Sequence, residues 1–476
     1  MQPSRNLTVL CLLILCLSAT VLAQATPQFA SDRIPADRMQ QYSDLAERWM
    51  QEYLQVDTTN PPGNEARATA WMKKVLDAEG IENRVFEIAP GRANLCARLP
   101  ATVTPGRRAI ILLNHTDVVT SDPAHWTHPP FSGALAHGAL YGRGAQDMKN
   151  EGLAQLVVMV MLKREKLPLD RDVIFLATAD EEAAGIGVDW MMQHTDLLEN
   201  AEFLINEGGE NREENGRVLY VGLDVAEKSP YWMHLVAHGT PGHGSRPLPD
   251  SAPNRLTRAL NRVIAWETPL QLLPSVEMFL ERQAALETGQ RAAWFRHPRQ
   301  AMKDPKFRAY INSDPDIAYM FRNTVSLTML GGSQQTNVIP ADAWANLDVR
   351  LLPGEDPARF QGELKKVIND PNITIEPMGT FRKANSSPTG TALFRAIEKA
   401  SGRYFNGAPV SPRLTSGYDE CQRYREVGIV AYGFTPYSAT EAESDTEHGN
   451  DERVRVEQVR RAPRVLYDVV AEVAAR

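Results

Sequence analysis

The stretch AIILLNHTDVV, residues 109–119, decides the fold. Its first six residues are apolar and β-branched enough to form a buried strand, and a histidine and an aspartate follow at once. His115 and Asp117 stand two positions apart, so an extended chain points them the same way, and Asp117 can hold the second imidazole nitrogen of His115. Alone, the pair reads equally as two polar groups at a strand end, because so short a motif recurs by chance.

The pattern repeats along the chain. VIFLATA (173–179) runs into Asp180, Glu181 and Glu182. FLIN (203–206) runs into Glu207 and then Gly208-Gly209, which let the backbone turn sharply. Adjacent carboxylates repel. A cation resolves the conflict by binding one and leaving the other free to take a proton from water; without one, the triplet is a solvated acidic turn. YGRGAQDMKN (141–150) carries Asp147 behind Gly142 and Gly144, and EHGNDERV (447–454) carries His448 ahead of a C-terminal helix. No glycine-rich turn has the GxxxxGK[ST] pattern of a phosphate loop. Helical segments alternate with these strands, among them 38–56, 66–80 and the apolar 153–162. Such alternation predicts an α/β sheet with helices on both faces. The candidate residues then sit at the carboxyl ends of strands, where open α/β sheets bind ligands.

Zinc takes imidazole nitrogen and carboxylate oxygen, about four ligands per ion. His115, Asp147, Glu182, Glu207 and His448 therefore suffice for two Zn(II) ions, and cobalt or manganese fits the same donors. Three carboxylates and a hydroxide neutralise the four positive charges, which limits the cost of burial. Ions roughly 3.5–4 Å apart need one carboxylate between them, and Asp147 is assigned that place.

HTDVV, GRGAQDMK, ADEE, NEGG and HGNDERV, in this order, make the chain resemble the M-20 metallopeptidase family from about residue 40 to the C-terminus. Asp147 and Glu181 are thirty-four positions apart, Glu182 and Glu207 twenty-five, as in that family. The resemblance implies a zinc-exopeptidase-like mixed sheet flanked by helices, with an inserted α+β lid/dimerisation domain. The catalytic domain would cover 26–227 and 387–476, and the lid 228–386. Asp147 would bridge, His115 and Glu207 would complete one metal site, and Glu182 and His448 the other. Glu181 would be the general base and acid, Asp117 the partner of His115, and Asp147–Met148 a cis peptide. HGTPGHGSRP (238–247) and TNVIPADAWANLDVRLLPG (336–354) resemble lid segments. They imply that His243 reaches the site of a second subunit in a homodimer, and that Asn337 and Arg350 hold a substrate carboxylate, for which a guanidinium is well shaped. TSGYDECQRYRE (415–426) departs from the pattern: Asp419 or Glu420 replaces the usual acid, and Arg423 is displaced from the usual arginine. The stretch 276–320 reads as a helical insertion that enlarges the lid.

The expected reaction is hydrolysis of an amide or peptide bond next to a free carboxylate, by a carboxypeptidase or dipeptidase. The alternative is an N-acyl-amino-acid amidohydrolase, and a third reading is a binding protein on the same scaffold. Glu207 argues against the ureido and carbamoyl branch, which usually has histidine there. Hydrophobic content of 43% and charged content of 23% are ordinary for a globular protein, and a net charge of -8 argues against nucleic-acid or anionic-membrane partners. Arg5, the apolar run 7–23, and Ala23 and Ala25 read as a signal peptide over 1–25, hence a secreted or periplasmic protein, with an uncleaved anchor as the alternative. Cys16 follows Leu15, which argues against a lipoprotein site, and Cys96 and Cys421 are expected as buried thiols rather than a disulfide.

Overall fold

The computed structural model describes residues 29–103, 107–198 and 200–475. The signal segment expected at 1–25 lies outside them. Among the described residues, no helix is long and apolar enough to cross a membrane.

The centre is a nine-stranded mixed sheet. Its spatial order is Glu82–Ala89, Arg92–Leu99, Val173–Thr178, Ala109–His115, Ala201–Asn206, Val430–Gly433, Arg217–Glu227 and Val410–Thr415, with Asn211–Glu214 paired to Arg217–Glu227. The four strands from Val173–Thr178 to Val430–Gly433 run parallel, so their carboxyl ends meet at one edge. Ala109–His115 and Val173–Thr178 are buried along their whole length. That explains their unbroken apolar runs: a strand covered on both faces has no polar side to present.

Helix Lys149–Glu165 packs against Ala36–Leu54, Val456–Ala474 and the sheet, and is buried from 149 to 162. Its apolar residues surround the axis because it has no solvent face. Gln155 is satisfied there: its Nε2 donates to the Leu113 carbonyl at 2.7 Å, and its Oε1 accepts from Asn114 at 3.0 Å. The strand Val430–Gly433 and the helix Val456–Ala474 return from the end of the chain into this same core, so the unit that carries the sheet is discontinuous in sequence.

A second sheet belongs to the inserted region. Asp342–Leu351 is central, with Met233–His238 and Ile373–Pro377 on one side and Thr324–Gly331 on the other. Helices Ala252–Ile264 and Pro357–Ile368 share its hydrophobic core. The helical stretch 276–320 does not join that core, which differs from the expectation that it enlarges the lid. Val276, Leu280, Phe295, Phe307 and Ile311 belong to the main core, and helix Pro274–Gln283 packs on Val410–Thr415. Cys96 and Cys421 are free thiols.

Candidate metal centre

The carboxyl edge of the parallel strands gathers five of the sequence candidates around one carboxylate. His115 ends its strand and directs Nε2 to Asp147 Oδ1 at 2.9 Å and to Glu207 Oε2 at 3.2 Å. His448 Nε2 stands 2.9 Å from the other oxygen, Asp147 Oδ2, and 3.4 Å from Glu182 Oε1. Asp147 thus presents one oxygen to each imidazole. His115, Glu181 and Glu207 form one group with donor atoms within 4.8 Å of one another, and His115, Asp147 and Glu182 form a second.

Each side chain is positioned by a local device. Asp147 directly precedes the first turn of helix Lys149–Glu165, where the helix dipole favours a carboxylate, and its peptide to Met148 is cis. Glu207 is followed by Gly208 and Gly209 at φ of 101° and 75°, and a Cβ on Gly209 would lie 2.5 Å from the Gly222 carbonyl oxygen. His448 itself holds a left-handed φ of 56°.

Asp117 does more than the sequence indicated. Its carboxylate stands 3.5 Å from His115 Nδ1, but the nearer acceptor for that nitrogen is the Asp117 main-chain carbonyl, at 3.1 Å. The carboxylate instead receives the backbone N–H groups of Glu181 and Glu182, each at 3.1 Å, and Asn60 Nδ2 at 2.8 Å. It fixes the turn that aims both glutamates.

Further supports were missed in the sequence. Asn60 also bonds Asp180 at 2.8 Å, and Arg92 joins Asp180 and the fully buried Glu65. Glu452 accepts Arg143, Gly144 N and Gln146 N, while Arg143 donates to the Gly449 carbonyl at 2.9 Å. This pair ties the loop of Asp147 to the loop of His448. The only signal was that Glu452 and Arg143 lie within the two motifs quoted above.

The electrostatics suit cations. Burial, and then the charge of Glu207, push the Glu181 carboxyl well above its ordinary value. Burial does the same to Glu207, with Asp147 adding to it. Burial opposes ionisation of Asp147, yet hydrogen bonds from His115 and His448 hold it well below the usual carboxylate range. Contacts with Asp147 and then Glu182 push the His448 imidazole up to about 10. So many buried carboxylates draw in positive charge, as protons on the imidazoles or as metal ions. Glu182 Oε1 is out of solvent and accepts no hydrogen bond of ordinary geometry, which is the state of an oxygen kept for a metal. The donor set therefore fits two metal ions.

The centre opens into a cavity of about 530 Å³. Within the variant loop, Glu420 is the acid beside the centre: it accepts the Thr178 hydroxyl at 2.7 Å, and burial pushes its carboxyl up to about 7. Asp419 lines the cavity, and Arg423 turns away to Asp189. The lid residues stand apart. His243 is exposed, its Nδ1 accepting from Ser245 Oγ at 2.8 Å, and its short strand pairs with the residues after Asn337. Arg350 forks onto Asp348 at 2.8 and 3.1 Å. None of the three lines the cavity of its own chain.

Three comparisons bear on this site. A sequence profile described as peptidase family M20/M25/M40 matches residues 111–472. Aminoacylase-1A of Rattus norvegicus is 26% identical over 430 residues, which cover 89% of this chain and 94% of that protein. The M20 family metallo-carboxypeptidase Sso-CP2 from Sulfolobus solfataricus superposes with a TM-score of 0.64 at 18% identity, over 89% of this chain and 98% of that one. Human carnosine dipeptidase 1 superposes with a TM-score of 0.64 at 14% identity, over 92% of this chain and 99% of that one. These likenesses extend across both the large sheet and the inserted region.

Proposed function

The chain belongs to peptidase family M20/M25/M40, and from that premise we propose that it is a two-zinc hydrolase of amide bonds next to a free carboxylate, acting as a carboxypeptidase or dipeptidase. The observation that carries this reading is Asp147, whose two oxygens face His115 and His448 at 2.9 Å each, with Glu181 beside them. His115 and Glu207 would hold one ion, Glu182 and His448 the other, and Asp147 both.

Zinc, when bound, polarises the scissile carbonyl and lowers the pKa of water. The rest of the work falls to side chains. Glu181 takes a proton from the attacking water and passes it to the leaving amine. Burial raises its proton affinity, which favours its taking a proton from the water. Asp117 keeps Glu181 and Glu182 in register through their backbone N–H groups.

His243, Asn337 and Arg350 would serve the site of a second copy in a homodimer, His243 stabilising the developing oxyanion and the other two holding the substrate carboxylate. Two features support this. His243 and Asn337 are exposed, and the lid strand Thr324–Gly331 leaves Met329 and Leu330 uncovered. Exposed apolar groups on an edge strand favour a partner. The segment 1–25, read as a signal, would put this activity outside the cytoplasm.

The second reading is an N-acyl-amino-acid amidohydrolase, which the similarity to aminoacylase-1A across 89% of the chain favours. Both readings involve the same bond type. The test is amine release from dipeptides and hippurate-like substrates, with and without a chelator. Release that stops on chelation and returns with zinc is expected, and release that persists in metal-free protein would overturn the proposal.

A further inference from the structure

The cavity beside the metal centre has an unusual lining. Once Asp147, Glu181, Glu182 and Glu207 are set aside for the ions and the base, five acids remain: Glu151, Glu210, Asp224, Asp419 and Glu447. Arg413 is the one arginine or lysine among the lining residues, and it is already engaged, with Nη1 on Glu210 at 3.0 Å and Nε 3.5 Å from Asp224. Ala439 is the largest aliphatic side chain of the lining, and the rings of Tyr418 and Tyr437 are its large apolar surfaces, so acids rather than aliphatic groups set its character.

A second observation concerns single atoms. Glu151 and Asn211 both line the cavity and are 6% and 2% exposed. Glu151 Oε2 and Asn211 Oδ1 are buried acceptors without a hydrogen-bond partner among the described residues. Asn211 Nδ2 is spent on the carbonyls of Thr435 and Tyr437, at 2.7 and 2.6 Å, which fixes the amide so that its oxygen is the free atom. The Tyr437 hydroxyl bonds the Asn150 carbonyl at 2.7 Å, so the segment 435–437 that Asn211 holds also touches the residue next to Glu151. Native proteins rarely leave such oxygens unpaired, and water, an ion or a ligand supplies the partners. A ligand that served both oxygens would carry several N–H groups and a positive charge.

We propose that Glu151 and Asn211 hold an ammonium group on the acyl side of the scissile bond, the free α-ammonium of a dipeptide, and that the chain selects amine-bearing over N-acylated substrates. This deepens the preceding reading and rests on it for the position of the scissile bond.

The test separates binding from turnover. Zinc-loaded Glu181→Gln protein is titrated calorimetrically with alanyl-leucine and with N-acetyl-alanyl-leucine, which differ only at the amine. Charged hydrogen bonds predict roughly tenfold or tighter binding of the free dipeptide, and Glu151→Gln in the same background should erase the preference. Equal or tighter binding of the acetylated form, or an undiminished preference in Glu151→Gln, overturns the assignment. If Glu151→Gln fails to give a cooperative melt, Glu151→Asp replaces it. An intermediate preference is then expected, and an unchanged one overturns the proposal. Wild-type protein that binds the free dipeptide selectively but splits neither compound contradicts the hydrolase reading while leaving the ammonium subsite standing.

Discussion

Glu452 accepts Arg143 Nη1 at 2.7 Å with both side chains almost wholly out of solvent. The pair joins two loops that are three hundred residues apart in sequence, one carrying Asp147 and the other His448. Removing one partner leaves a buried charge unpaired. Glu452→Ala should cost about 3–5 kcal/mol of stability and loosen the His448 side of the centre. Denaturant unfolding and metal titration check both effects. A stability loss under about 1 kcal/mol would show that the pair is not needed.

Glu181 stands within reach of His115 and Glu207, but the proposed mechanism uses it as the base and not as a ligand, and in Glu181→Gln the glutamine keeps an oxygen in the same place. The variant should keep its full metal content while kcat falls by roughly 10²–10⁴. Metal analysis and steady-state kinetics on the same sample decide the matter. An unchanged rate, or a loss of metal in proportion to activity, removes Glu181 from its role.

Asp117→Asn turns part of an acceptor that receives the Glu181 and Glu182 N–H groups into a donor facing them. A drop of roughly 10–100-fold in metal affinity or activity is expected, the size found for residues that support ligands without touching metal. Wild-type affinity and rate together would reduce Asp117 to an ordinary buried acid.

His243→Ala and Arg350→Ala should each inactivate homodimers. Refolding His243→Ala with Glu181→Gln should restore activity, because a mixed pair contains one site with both residues intact. No recovery, in samples shown by sizing to be dimers, would place the lid residues outside a shared site.

The strands that carry the site were legible because burial on both faces leaves unbroken apolar runs, such as 109–113 and 173–177, that end abruptly in charge. The supports were not legible. Asn60 and Arg92 reach Asp180, and Glu65 reaches Arg92, only after folding, and nothing in their own neighbourhoods distinguishes them from surface polar groups. The triplet 180–182 illustrates the limit. Its charge density pointed to a cation, but only the left-handed φ of 70° at Asp180 shows that this first acid turns away to Asn60 and Arg92 while the next two face the centre. The insertion 276–320 is helical, as its lack of β alternation implied, yet such a pattern does not reveal which surface a helix covers. Phe307 and Ile311 fill the main core, not the lid.

Anomalous diffraction at the zinc edge from zinc-loaded crystals tests the central claim most directly. Two peaks roughly 3.5–4 Å apart are predicted on either side of Asp147, one against His115 and Glu207 and the other against His448 and Glu182. A single peak, or two peaks that do not share Asp147, would contradict the account.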